Sequence, residues 1–203
     1  MYIVCSDLEG VLVPEIWIGV AEKTGIEELK LTTREISDYD RLMRHRLSIM
    51  NANGLKLSDI TEVIETIEPL EGAAEFLRWL RDRTQVIIVS DTFTQFAAPL
   101  MKKLDRPTIF CNWLTIGPDG AIQDYHLRQS DGKRKVVEAL RRLNFKIAAM
   151  GDSYNDITMI QAADHGILFR PPENITAQYP QLKAAYHYDD LKSFFTELLD
   201  GSC

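Results

Sequence analysis

The chain has 203 residues, 45% hydrophobic and 26% charged, a globular composition large enough for one domain with an insert or for two small domains. Its formal charge of −7 argues against a broad nucleic-acid surface, and no apolar run approaches the ~20 residues of a membrane span. Cys5, Cys111 and Cys203 suit neither a disulfide framework nor a zinc site, and no signal-like segment opens the chain, so the expectation is a cytoplasmic protein with neither membrane nor nucleic acid as partner.

The apolar run Tyr2-Ile3-Val4-Cys5 predicts a buried parallel strand, and Asp7 and Glu9 follow it two residues apart. Side chains alternate along a strand, so the two carboxylates lean to one side. Ligands gather at such strand ends in open α/β sheets, and crowded like charges there need a metal ion, phosphate chemistry or a shared proton. Residues 14–68 show no convincing strand. Ile16, Val20 and Ala21, then Leu42, Leu47, Ile49 and Met50, then Ile60, Val63, Ile64 and Ile67 recur at helical spacing, predicting a small helical cap inserted into a core of residues 1–13 and 69–203. Further on, residues 71–83 predict a helix, and 85–89 and 108–110 predict strands. Gly117-Pro118-Asp119-Gly120 predicts the turn of a β-hairpin. Residues 133–143 predict a helix, and 147–150 and 166–169 predict strands. This alternation describes an α/β fold, a parallel sheet with helices on both faces.

Four strand or helix ends carry chemistry. Asp7 can take a phosphoryl group onto its carboxylate, and Glu9 can serve as general acid and base, although both also suit ordinary turn contacts. Ser90-Asp91-Thr92 offers a hydroxyl and backbone N–H groups to an anion, or simply caps a helix. Lys133 would hold a phosphate as a point charge, but charge alone does not choose among Lys133, Arg134 and Lys135. Gly151-Asp152-Ser153-Tyr154-Asn155-Asp156 adds two carboxylates, hard oxygen donors suited to Mg²⁺.

That ordered set resembles the haloacid dehalogenase superfamily of phosphotransferases: Asp7-Leu8-Glu9-Gly10, then Ser90, Lys133, and the segment from Gly151 to Asp156. Residues 7–18, Thr24-Gly25-Ile26 and Leu55-Lys56-Leu57 resemble its phosphoserine phosphatase-like branch of bacterial phosphoserine:homoserine phosphotransferases. The resemblance implies a Rossmann-like parallel sheet with a helical cap, and O-phosphoserine and homoserine as small-molecule partners. It implies Asp7 as nucleophile, with Asp7, the Glu9 main-chain carbonyl and Asp152 on Mg²⁺. Phosphate contacts would come from Ser90, the Asp91 backbone and Lys133, with Asn155 touching substrate. Glu15 and Arg46 match amino-acid-binding positions of that branch, and an acid and a guanidinium suit the two charges of a zwitterion. Ordinary phosphoserine phosphatases carry Asp where Glu9 stands and Thr where Val11 stands, which sets transfer against hydrolysis as an open balance. The alternatives are a phosphatase of another small phosphometabolite, a phosphoacceptor signalling module, and a Gly-Asp-Ser esterase built on Ser153. The last lacks the expected Asp-x-x-His pair at His165 or His187. The oligomeric state stays open, a homodimer included.

Overall fold

The computed structural model describes residues 1–32, 36 and 38–201, so Cys203 lies outside it. Strand β1 (Tyr2–Ser6) is followed by helices α1 (Ile16–Thr24), α2 (Tyr39–Ala52) and α3 (Leu57–Thr66), the insert expected after the first strand. Then come α4 (Ala73–Arg81), β2 (Gln85–Phe93), α5 (Thr94–Lys103), β3 (Thr108–Ile116), β4 (Ile122–His126) and α6 (Gly132–Arg142). The chain continues through β5 (Lys146–Gly151), α7 (Ile157–Ala162), β6 (His165–Phe169), α8 (Glu173–Gln178), β7 (Lys183–Ala185) and α9 (Tyr188–Asp200).

The strands form one sheet in the order β4-β3-β2-β1-β5-β6-β7, parallel except where β4 folds back on β3. β1 is central, and the chain winds outward from it in both directions, which opens a crevice at its carboxyl end. Its alternating side chains feed two interiors. Val4 and Leu8 join a large cluster with α4, α5 and α9, whereas Ile3 and Cys5 join a smaller one with α6, α7 and α8. Cys5 is a buried free thiol in that packing, its pKa pushed up to about 12 by burial. The insert belongs to the large cluster: Trp17, Val20, Met43, Leu47 and Ile64 share it with Phe76, Phe96 and Leu191.

Two features extend the sequence expectation. The predicted strand at 108–110 and the first arm of the predicted hairpin are a single strand, β3, which pairs with β2 at one end and with β4 at the other. β7 and α9 lie beyond the elements expected from sequence: β7 is the edge strand beside β6, and α9 buries Tyr188, Leu191 and Phe195 in the large cluster.

Candidate active site

Ser6 pairs with Ile88 on one flank and Met150 on the other, so the ends of β1, β2 and β5 lie side by side. The Asp7 N–H then donates to the Met150 carbonyl at 2.9 Å, locking the backbone where β1 ends. Two glycines make room for acids. Gly10 has φ +74°, and a Cβ on it would lie 2.4 Å from the Asp152 carboxyl; a Cβ on Gly151 would lie 2.2 Å from that of Asp156.

Lys133 sits at the start of α6 with its ammonium almost wholly buried. It donates to Asp156 Oδ1 at 2.7 Å and pairs with Asp7 Oδ1 at 2.9 Å. Arg134 instead pairs with Asp131 and Glu138, and Lys135 bonds Ser130, so geometry separates three cations that charge alone could not. Asp7 Oδ1 also accepts from the Leu8 N–H at 2.8 Å, which leaves Oδ2 outside these contacts. Asp156 Oδ2 accepts from the N–H groups of Asp152 and Ser153 at 3.0 and 3.1 Å, so both Asp156 oxygens are engaged within the protein.

Carboxylate oxygens of Asp7, Asp152 and Asp156 lie within 4.8 Å of one another, around a single lysine. Burial and Asp156 push the Asp7 carboxyl well above the usual range, against the pull of Lys133. Burial, with Asp156 and Glu15, pushes Asp152 up to about 7. Burial also opposes the Lys133 charge, but Asp156, Asp7 and Asp91 outweigh it and hold its pKa well above the usual lysine value. Surplus negative charge on hard oxygen donors makes this a candidate site for a divalent cation.

Glu9, two residues after Asp7, is held by the insert. Its Oε2 accepts from the Ile16 N–H, the first of α1, at 2.9 Å. Burial and Glu15 push its carboxyl up to about 8, against that backbone donor, Arg46 and Lys133. A carboxyl of this kind holds its proton near neutral pH, as a general acid must. Glu15 precedes α1 without capping it through its side chain. Arg46 is 6% exposed on α2. Its Nη2 donates to the Leu31 carbonyl at 2.8 Å, and its guanidinium lies 4.5 Å from the Trp17 ring centre. Burial lowers its pKa to about 10, while Tyr39, Glu9 and Glu15 favour its charge. Its buried Nε has no hydrogen-bond partner among the described residues, a donor that a carboxylate would satisfy.

The groups enclose one chamber of about 90 Å³, bordered by Asp7, Glu9, Glu15, Arg46, Ser90, Asp91, Lys133, Asp152 and Asn155 together, while Asp156, also singled out from sequence, is fully buried behind it on Lys133. Thr92, singled out from the sequence with Ser90 and Asp91, also borders the chamber, whereas sequence reasoning gave Tyr39 and Trp17 no role there. Trp17 packs on Phe96 as expected of an apolar residue, yet it is also the platform for Arg46. The Ser153 hydroxyl bonds Asn155 and Asp156, and no histidine borders the chamber, so nothing there activates Ser153 as an esterase nucleophile.

A family model described as a haloacid dehalogenase-like hydrolase matches residues 3–164. The phosphoserine phosphatase ThrH of Pseudomonas aeruginosa is 55% identical over 195 residues, covering 96% of this chain and 95% of that protein. A phosphoserine phosphatase of Pseudomonas syringae pv. tomato is 54% identical over 193 residues, 95% of this chain and 81% of its own. Among solved structures, a phospho-aspartyl intermediate analogue of phosphoserine phosphatase superposes with a TM-score of 0.77 at 22% identity, over 95% of this chain and 97% of that one, a likeness of fold.

Proposed function

Since the chain belongs to the haloacid dehalogenase-like hydrolase family, we propose that it is a phosphoserine phosphatase that moves the phosphoryl group through an aspartyl-phosphate on Asp7. The observation that carries the reading is the pairing of a buried Asp7 with Lys133 in a chamber that Arg46 and Glu15 also line. Residues 1–13 and 69–203 serve as the catalytic core, and 14–68 as the cap that selects the substrate.

Phosphoserine enters with its carboxylate on Arg46 and its ammonium on Glu15. Ser90, the Asp91 backbone and Lys133 hold the phosphate oxygens, with Asn155 at the substrate's edge. Asp7 attacks phosphorus in line as the P–O bond to serine breaks. Glu9 gives its proton to the departing serine oxygen, so no free alkoxide forms. In the second half Glu9 takes a proton from the attacking hydroxyl as the Asp7–phosphorus bond breaks. Water as attacker gives phosphate; homoserine gives phosphohomoserine. A Mg²⁺ ion, with Asp7, Asp152 and the Glu9 carbonyl as protein ligands, supplies neutralisation of phosphate charge when bound. The all-oxygen donor set suits it, and the crowding of Asp7 and Asp152 is what such a charge relieves.

Glu9 and Val11, which depart from the Asp and Thr of ordinary phosphoserine phosphatases, favour an acceptor besides water. One assay decides: phosphoserine and Mg²⁺ with and without homoserine, measuring free phosphate and phosphohomoserine together. Release of phosphate is expected in both, with phosphohomoserine only when homoserine is present. Absence of phosphoserine turnover in both formats would sink the substrate assignment.

A further inference from the structure

Three elements meet at Asp91. Its carbonyl accepts from the Tyr39 hydroxyl of α2 at 3.1 Å and from Asn112 Nδ2 of β3 at 3.1 Å. Its carboxylate accepts from Asn155 Nδ2 at 3.0 Å. The register of β2 against β3 shifts between Val89 and Phe93, so the sheet ladder does not fix this stretch and side-chain donors take over. The Asp91 carbonyl and the Thr92 N–H belong to one planar trans peptide, so orienting one orients the other. That N–H donates to Ser90 Oγ at 3.2 Å, and Ser90 and Thr92 are both buried.

We propose that Tyr39 is a positioning residue for phosphoryl transfer. Its hydroxyl, acting through the Asp91–Thr92 peptide, aims the Ser90 hydroxyl at the transferring group. With the Thr92 N–H on a Ser90 lone pair, the Ser90 hydrogen is left for a phosphate oxygen. Tyr39 and Arg46 are seven residues apart on α2, about two turns, so they share a helix face. The helix that grips the amino-acid end therefore also shapes the phosphate end, so substrate grip and phosphate alignment are coupled through one helix face. A second tether supplies a control: the Tyr125 hydroxyl of β4 bonds Asp40 of α2, not the 90–92 segment.

The inference takes the role of Ser90 from the proposed function but does not need phosphoserine, so phosphoserine and p-nitrophenyl phosphate are both used as probes. Tyr39→Phe keeps the ring that packs edge-on to Tyr125 and removes only the oxygen. It is expected to lower kcat about tenfold on each substrate the wild type turns over, with KM held within about threefold. Tyr125→Phe is expected to stay within about twofold in kcat. In a double-mutant cycle, Tyr39→Phe should cost less than about twofold once Ser90→Ala is present, because the two act in series. Amide hydrogen exchange across residues 90–93 should quicken in Tyr39→Phe and not in Tyr125→Phe. An unchanged kcat in Tyr39→Phe, a full multiplicative loss on the Ser90→Ala background, or an equal loss in Tyr125→Phe would each overturn the proposal. If the wild type turns over p-nitrophenyl phosphate but not phosphoserine, the substrate assignment falls and the p-nitrophenyl phosphate series alone judges Tyr39.

Discussion

At Gly10, one methyl group would press into the acid that follows β5. Gly10→Ala sets a Cβ 2.4 Å from the Asp152 carboxyl and puts a side chain at φ +74°. The backbone conformation alone costs about 1–2 kcal/mol, and relief of the clash must displace Asp152. The expected outcome is weakened divalent-cation binding by titration calorimetry, together with a lowered melting temperature. Asp7→Asn should abolish phosphoserine turnover, by at least about 10³-fold, while circular dichroism shows the fold intact. Substantial activity in that variant would remove the nucleophile. Glu9→Gln separates the two proton transfers. Loss of a general acid typically costs about 10²–10⁴-fold, which is the expectation for phosphoserine. Nitrophenolate leaves without a proton, so p-nitrophenyl phosphate should give a stoichiometric burst followed by slow turnover, since Glu9 is still missing as base. A steady rate with no burst would mean that Glu9 acts in neither half or in the first half alone.

Among the elements, α2 is the one whose face reads the amino-acid end. Arg46→Ala should raise KM for phosphoserine about 100-fold, the worth of a charge-assisted bidentate contact, and leave p-nitrophenyl phosphate untouched. An equal loss on both substrates would show Arg46 to be structural. The strand ends were legible in the sequence because each core strand is a short apolar run closed by a chemically distinctive group: Asp7, Ser90, Asp152. The helices of the insert were legible as a period, but their partners were not. Tyr39 meets a carbonyl 52 residues away, and a tyrosine on a helix face carries no mark of the backbone atom it will reach. Trp17 likewise reads as packing until Arg46 is seen above it. The continuity of β3 was hidden because its strand signal is interrupted by polar Asn112, whose side chain turns out to bond Asp91 and the Arg128 N–H.

The molecule as a whole carries a surplus of negative charge, and part of it is concentrated where water is excluded. Binding of Mg²⁺ to the folded state alone should therefore stabilise it, by about 2.7 kcal/mol at a hundredfold excess over Kd. For a chain of this size that is a rise of roughly 5–10 °C in melting temperature, read by calorimetry with Mg²⁺ and with chelator. An unchanged Tm would count against a cation site among Asp7, Asp152 and Asp156. The large apolar cluster runs without a seam from the sheet helices into the insert, since Trp17, Met43 and Ile64 pack in it with Phe76 and Phe96. An insert borrowed from a relative and spliced between residues 13 and 69 would bring half an interior cut for a different partner. Voids and collisions of that kind cost about 1–5 kcal/mol for each ill-matched large side chain. New preferences in this scaffold are therefore reached by altering the residues that border the chamber one at a time, and not by exchanging the insert as a cassette.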